Sequence, residues 1–274
     1  MNRAIRATLF IIFVIALFYT APRFLNNTLW ASIHVSIAVE DIITKILIVV
    51  LPCLAYIYMY KRDINIRECL KPNKISIKQI VILVLMGFFI QPFAMLISSI
   101  TSLFFENKVI EYMNAFVGIP FWLILISMAI MPAIMEEVMM RGIVLYESRD
   151  LGIKTAAILN GFLFGLLHRN FSQFFYAVVL GMLFVYIVRI TNSLYSTIII
   201  HFIINGTQVV LMQMMPVQNI IESNVIEDIA LLQKISGIGF IAIICMICLP
   251  IFVYLIKVLI KVSKHKKRLN SEIV

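Results

Sequence analysis

Charge is scarce in this sequence. Only 14% of its 274 residues are Asp, Glu, Lys or Arg, and 62% are hydrophobic, with a mean hydropathy of +1.01. Globular domains carry about a quarter charged residues, so the shortage excludes an ordinary soluble domain and leaves an all-α, polytopic membrane protein. Acid is scarcer than base: 14 carboxylates face 23 Lys and Arg side chains, a net charge of +9. The excess is no nucleic-acid footprint, because the cations sit in loops and tails beside apolar runs, where they set topology. Cysteine is limited to Cys53, Cys69, Cys245 and Cys248. Three of these fall in apolar spans, and nothing near the Cys245–Cys248 C-x-x-C stabilises a thiolate. The four are therefore expected to pack, with no disulfide framework.

A spanning helix needs about 20 mainly apolar residues, and the chain offers about eight such segments. They lie near 7–21, 40–60, 80–105 (interrupted at Pro92), 120–147, 155–168, 171–190, 194–215 and 235–259. The first is short and follows Arg3 and Arg6, as in a signal peptide, but no small-x-small cleavage site follows, so a retained helix is expected. In the second, Asp41 and Lys45 are four apart and can pair across one turn. The basic segment 61–78 reads as a topology determinant beside lipid headgroups. The loop 216–234 is expected to hold a short surface helix, and the tail 261–268 is basic. These divide the chain into N-terminal helices over 1–115, a core over 116–215, and a final loop, span and tail over 216–274. With eight spans and both termini in the cytoplasm, inside segments hold 17 cations. Outside loops hold Arg23, Lys108, Arg169 and Lys234, and Lys45 and Arg141 lie within spans. That asymmetry satisfies the positive-inside rule.

Inside the fourth span stand Glu136, Glu137 and Arg141. Ionisable groups at that depth cost several kcal/mol unless paired or wetted, and read by default as functional. The fifth and seventh spans each carry one histidine, His168 and His201. At about 1.5 Å per residue, Glu136, His168 and His201 lie roughly 18, 21 and 12 Å from the cytoplasmic ends of their helices, a depth at which they can converge. Glu137 and Arg141 are an i,i+4 pair and can neutralise each other, whereas Glu136 projects about 100° away and is left for chemistry. Phe164 with His168, and His201 with Asn205, also share helix faces. Gly161 and Gly165, four apart, suit close helix approach. His34 and His265 read as solvated or interfacial.

Taken together, E-E-x-x-x-R at Glu136-Glu137-Arg141, F-x-x-x-H at Phe164-His168 and H-x-x-x-N at His201-Asn205 resemble the CPBP family of intramembrane proteases. That family holds the CAAX prenyl endopeptidases and the bacterial Abi-type proteins. The resemblance covers roughly 121–215 and implies a helical membrane fold whose site opens toward the cytosol. It makes Glu136 and His168 the pair that activates water, lets His201 and Asn205 bind the scissile carbonyl and its oxyanion, and gives Glu137 and Arg141 a supporting role.

Peptide hydrolysis needs a base for water and donors for the developing oxyanion, and these residues supply both. Glu136, His168 and His201 are also a ligand set that zinc accepts. The helix signature H-E-x-x-H is absent, and spacing leaves the metal-free and zinc readings open, with the metal-free one preferred. The expectation is an intramembrane endopeptidase acting on membrane-associated peptides or proteins, either C-a-a-X-type or bacteriocin and pheromone precursors, in the plasma membrane of a bacterium. The alternatives are a non-catalytic scaffold of the Abi type and a transporter; the acidic pair has no second copy, as an internally repeated transporter would have.

Overall fold

A computed structural model describes residues 2–30, 35–106, 112, 114–214 and 227–272 of the chain. Among the described residues every regular element is helical: α1 (Arg3–Asn27), α2 (Ile37–Met59), α3 (Ile66–Leu70), α4 (Ile77–Thr101), α5 (Phe121–Glu147), α6 (Ile153–Leu167), α7 (Phe171–Thr191), α8 (Tyr195–Met214) and α9 (Glu227–Glu272). Seven of them, all but α3 and α6, are long and apolar enough to cross a membrane.

Three expectations change. The first apolar segment is not short: α1 runs 25 residues, because Pro22 is tolerated inside it and Asn2 caps its start through the Ala4 amide. The fifth expected span is α6, only 15 residues and about 22 Å long, so the described residues hold seven full-length candidates and one shorter apolar helix. The end of the expected loop 216–234 is helical instead, since α9 begins at Glu227 and continues through the basic tail. The rest of that loop, and His34, lie outside the described residues. His265 is exposed, as read.

Polar side chains decide where helices start and stop. Ser76 and Gln79 form a capping box at the start of α4, satisfying two amides that the helix itself leaves open. Asn170 accepts from the Ser172 amide at 3.0 Å and starts α7, and Asn192, in the left-handed region at φ 52°, ends it. Between α6 and α7 only three residues remain, and Arg169 takes φ 54° to make the turn.

The hairpin of α6 and α7 packs backbone against backbone. A Cβ on Gly161 would lie 2.6 Å from the Val178 carbonyl oxygen, and one on Gly181 would lie 2.7 Å from Gly161 Cα. Small residues at both positions are what permit this approach.

Two helices widen ahead of a proline. Residues Ile46–Val50 of α2 and Ile126–Ile130 of α5 form π turns, two residues before Pro52 and Pro132 respectively. Within α5 the Met131 amide reaches back to the Ile126 carbonyl, the i→i−5 pattern. The next amide in that pattern would belong to Pro132 and bond Ser127, but proline has no N–H. Lys45 from α2 takes its place, donating to the Ser127 carbonyl at 3.0 Å while pairing with Asp41 at 2.5 Å. The expected Asp41–Lys45 pair thus also locks α2 onto α5.

The apolar core is divided. One cluster joins α1, α2, α3, α5 and α6 around Ile11, Met139 and Leu163; a second joins α4, α7, α8 and α9 around Leu83, Phe184 and Ile200. The polar site lies along the seam, where α5, α6 and α8 meet.

One end of the bundle collects the basic segments. Arg3 pairs with Asp150 at 3.1 Å, Arg6 with Glu147 at 2.6 Å and with Asp63 at 2.9 Å. Lys71 donates to Asn192, Asn73 to the Asn192 carbonyl, and Lys266 to the Lys74 carbonyl. These bonds bring the start of α1, the segment 61–78, the end of α5, the end of α7 and the end of α9 to a common face. Arg6 also stacks 3.8 Å above the Tyr60 ring, which offsets part of the cost of its burial.

Candidate active site

Each helix delivers its polar residues for a local reason. In α5, Glu137 and Arg141 are one turn apart, and Arg141 Nη1 donates to Glu137 Oε1 at 2.9 Å. Both side chains are completely buried, so neither charge survives there without the other. The guanidinium is further held between the rings of Phe164 and Phe184, 4.3 and 4.9 Å from their centres, with Nη2 3.4 Å from the Gly181 carbonyl. Residues Val138–Val144 form a third π segment. Beside it, Asn160 of α6 donates to the Met140 carbonyl at 2.6 Å and ties the two helices.

At the end of α6, His168 Nδ1 lies 2.8 Å from the Phe164 carbonyl oxygen. A carbonyl only accepts, so Nδ1 carries the hydrogen, and in the neutral ring Nε2 is left with its lone pair. The rings of Phe164 and His168 meet edge to face at 4.8 Å, which fixes the imidazole plane.

In α8, His201 is tied across the seam. Its Nδ1 is 3.0 Å from Glu137 Oε1, the oxygen that Arg141 also reaches, and its Nε2 is 3.9 Å from Glu136 Oε2. Phe164 and Phe184 flank the ring at 5.9 and 6.1 Å. Glu137 therefore has more to do than neutralise Arg141, because it also orients His201.

Glu136 differs from its neighbour as expected. Its side chain is 23% exposed where that of Glu137 is at 0%, and it borders a cavity of about 800 Å³. His168, His201 and Asn205 line the same cavity, together with Phe164. The structure thus brings together Glu136, His168, His201 and Asn205 around one chamber. It sets Glu137 and Arg141 behind the chamber wall.

Sequence reading missed the rest of that wall. Asp41, Lys45, Tyr112, Arg169, Gln173 and Gln208 also line the cavity. Tyr112 donates to Asp41 at 2.9 Å, and Ser127 donates to the same carboxylate. A lysine inside an apolar span was the available signal, but its partners across the helix interface could be known only from the fold.

Among the described residues no group of three His, Cys, Asp or Glu side chains is clustered closely enough to hold a metal ion. Both histidines bond protein oxygens through Nδ1, which leaves Nε2 of each as the nitrogen for a further partner.

Residues 118–207 match the family model described as Type II CAAX prenyl endopeptidase Rce1-like. That range contains all seven motif residues, from Glu136 to Asn205. No curated protein and no solved structure matches the chain.

Proposed function

From the type II CAAX prenyl endopeptidase family, to which residues 118–207 belong, we propose that the chain is an intramembrane endopeptidase in which Glu136 and His168 activate water. The family supports a protease of CAAX type at that level, and the multi-pass helical architecture agrees with it. The single observation that carries the finer reading is that Glu136, His168, His201 and Asn205, from three helices, border one cavity.

The chemistry follows from the tautomers. A water in the chamber gives one hydrogen to the Glu136 carboxylate and the other to the lone pair on His168 Nε2, which aims its oxygen at the scissile carbonyl carbon. As the C–O bond forms, the Glu136 carboxylate takes the proton. The carbonyl oxygen becomes an oxyanion and accepts from the Asn205 amide and, when Nε2 is protonated, from His201. Collapse expels the amine, which receives the proton from Glu136, and the carboxylate is regenerated. Glu137, bonded to Nδ1, keeps the His201 ring turned toward that oxygen.

The substrates are membrane-associated peptides or proteins, and the enzyme is proposed to reside in a bacterial plasma membrane. Replacing Glu136 by Gln keeps the shape and removes the base. Comparison of membrane peptides from cells making the parent chain or Glu136→Gln should show a set of fragments lost by at least about 100-fold in the variant. An unchanged peptide profile, with the variant folded and inserted, would remove the proposal.

A further inference from the structure

The two ends of the bundle are chemically unlike, and the cavity belongs to one of them. Its lining runs from Glu136 to residues at the ends of helices: Asn26 and Trp30 at the close of α1, Glu40 at the opening of α2, Arg169 and Gln173 at the α6–α7 turn, and Gln208 toward the end of α8. Asn26, Arg169 and Gln208 are exposed, so this is where the chamber opens. None of the described residues in 61–78, 148–154 or 189–194 lines it.

Those excluded segments form the opposite end, the one joined by Arg3–Asp150, Arg6–Asp63, Lys71–Asn192 and Lys266–Lys74. With the remaining described basic residues of the same segments, that end carries 15 cations, while Arg23, Arg169 and Lys234 fall beside the mouth end.

From this we infer that the chamber opens on the extracytoplasmic side of the membrane. Segments rich in Lys and Arg stay in the cytoplasm because the insertion machinery and the membrane potential oppose their passage. The mouth is at the end poor in them. This reverses the cytosolic opening that the family resemblance implies.

The consequence concerns substrate class and rests on the protease reading above. A chamber open to the outside takes peptides that have already been exported or anchored in the outer leaflet. It does not take prenylated C-termini, which sit on the cytoplasmic face.

Single cysteines test the orientation without replacing Glu136, His168, His201 or Asn205. Asn26→Cys and Gln208→Cys place a thiol at the mouth, and Gly152→Cys places one at the basic end, where a Cβ meets nothing within 4 Å and no cation is lost. Intact cells making the full chain are treated with a membrane-impermeant maleimide, with the parent chain as background. Labelling of the two mouth positions at least about tenfold above background, with Gly152→Cys labelled only after permeabilisation, is the expected result. The opposite pattern overturns the inference and leaves the protease reading standing, since that reading falls only if Glu136→Gln cleaves normally. A second readout is the identity of the peptides lost in Glu136→Gln cells. Export signals on them support the orientation, and prenylated cytoplasmic C-termini overturn it.

Discussion

His201 Nδ1 and Arg141 Nη1 meet on a single oxygen, Glu137 Oε1, at 3.0 and 2.9 Å. One carboxylate therefore holds α5 to itself and α8 to α5, and it sets the angle at which His201 faces the chamber. The acidic pair divides its labour by one helical step: Glu137 turns inward to the arginine, and Glu136 turns to the cavity.

Removing Glu137 should therefore damage two things at once. Glu137→Ala leaves Arg141 buried and unpaired, and is expected to cost about 3–5 kcal/mol of stability together with activity. The double variant Glu137→Met, Arg141→Met replaces the pair by apolar volume and should recover most of the thermal stability. It should remain inactive, because His201 has lost its anchor. Melting of the detergent-solubilised protein, measured beside turnover, separates the two effects; recovery of both in the double variant would show that the His201 contact is dispensable.

Asn205 is expected to act in the transition state and not in folding. Its side chain lines the cavity and has no role in the buried ion pair. Asn205→Ala should lower kcat by about 100-fold or more with KM little changed, as seen when an oxyanion donor is deleted. A variant that mainly raised KM would place the residue in ground-state binding.

The α6–α7 hairpin offers a test of geometry alone. Gly161→Leu drives a side chain into the Val178 carbonyl and Met182, each 2.6 Å from the first added atom. It should destabilise by about 1–3 kcal/mol and displace His168, which follows seven residues later on the same helix. By contrast, a Cβ on Gly206 meets nothing closer than 3.8 Å. Gly206→Ala should gain up to about 1 kcal/mol from helix propensity. Equal melting temperatures for the two variants would contradict the close approach.

Alkylation rates report on α3. Burial pushes the Cys69 thiol up to about 12, and the thiol is 1% exposed where α3 packs over Gly142 of α5. Because the protonated form does not react, thiolate at neutral pH should be roughly a thousandfold scarcer than for a free cysteine. The rate should still climb tenfold per pH unit at pH 9, where a free cysteine has levelled off. Mass-spectrometric rates with iodoacetamide between pH 7 and 9 check this, and a Cys69 that alkylates like free cysteine would mean that α3 does not pack as described.

Much of this protein was legible in its residue order. Apolar runs locate the seven long helices, six of them from runs of 20 or more residues, because lipid tolerates no unpaired backbone and leaves a helix as the economical answer. The Glu137–Arg141 and Asp41–Lys45 pairs follow from i,i+4 geometry and are found at 2.9 and 2.5 Å. The short reach of α6 was harder to foresee, since its apolar character resembles that of a full span. So were the π turns, whose cause, a proline without an amide, acts through hydrogen bonds five residues back.

What no reading of order supplies is contact between distant positions. His201 and Glu137 are 64 residues apart and Arg6 and Glu147 are 141 apart, so their bonds exist only once helices have packed. The sequence by itself determined the membrane habitat, the order of the long apolar helices and the Glu137–Arg141 and Asp41–Lys45 pairs, because hydropathy and i,i+4 spacing are local properties. Packing decided that Glu137 orients His201, that Lys45 replaces the proline's missing donor, and at which end the chamber opens, because each of these depends on where one helix meets another.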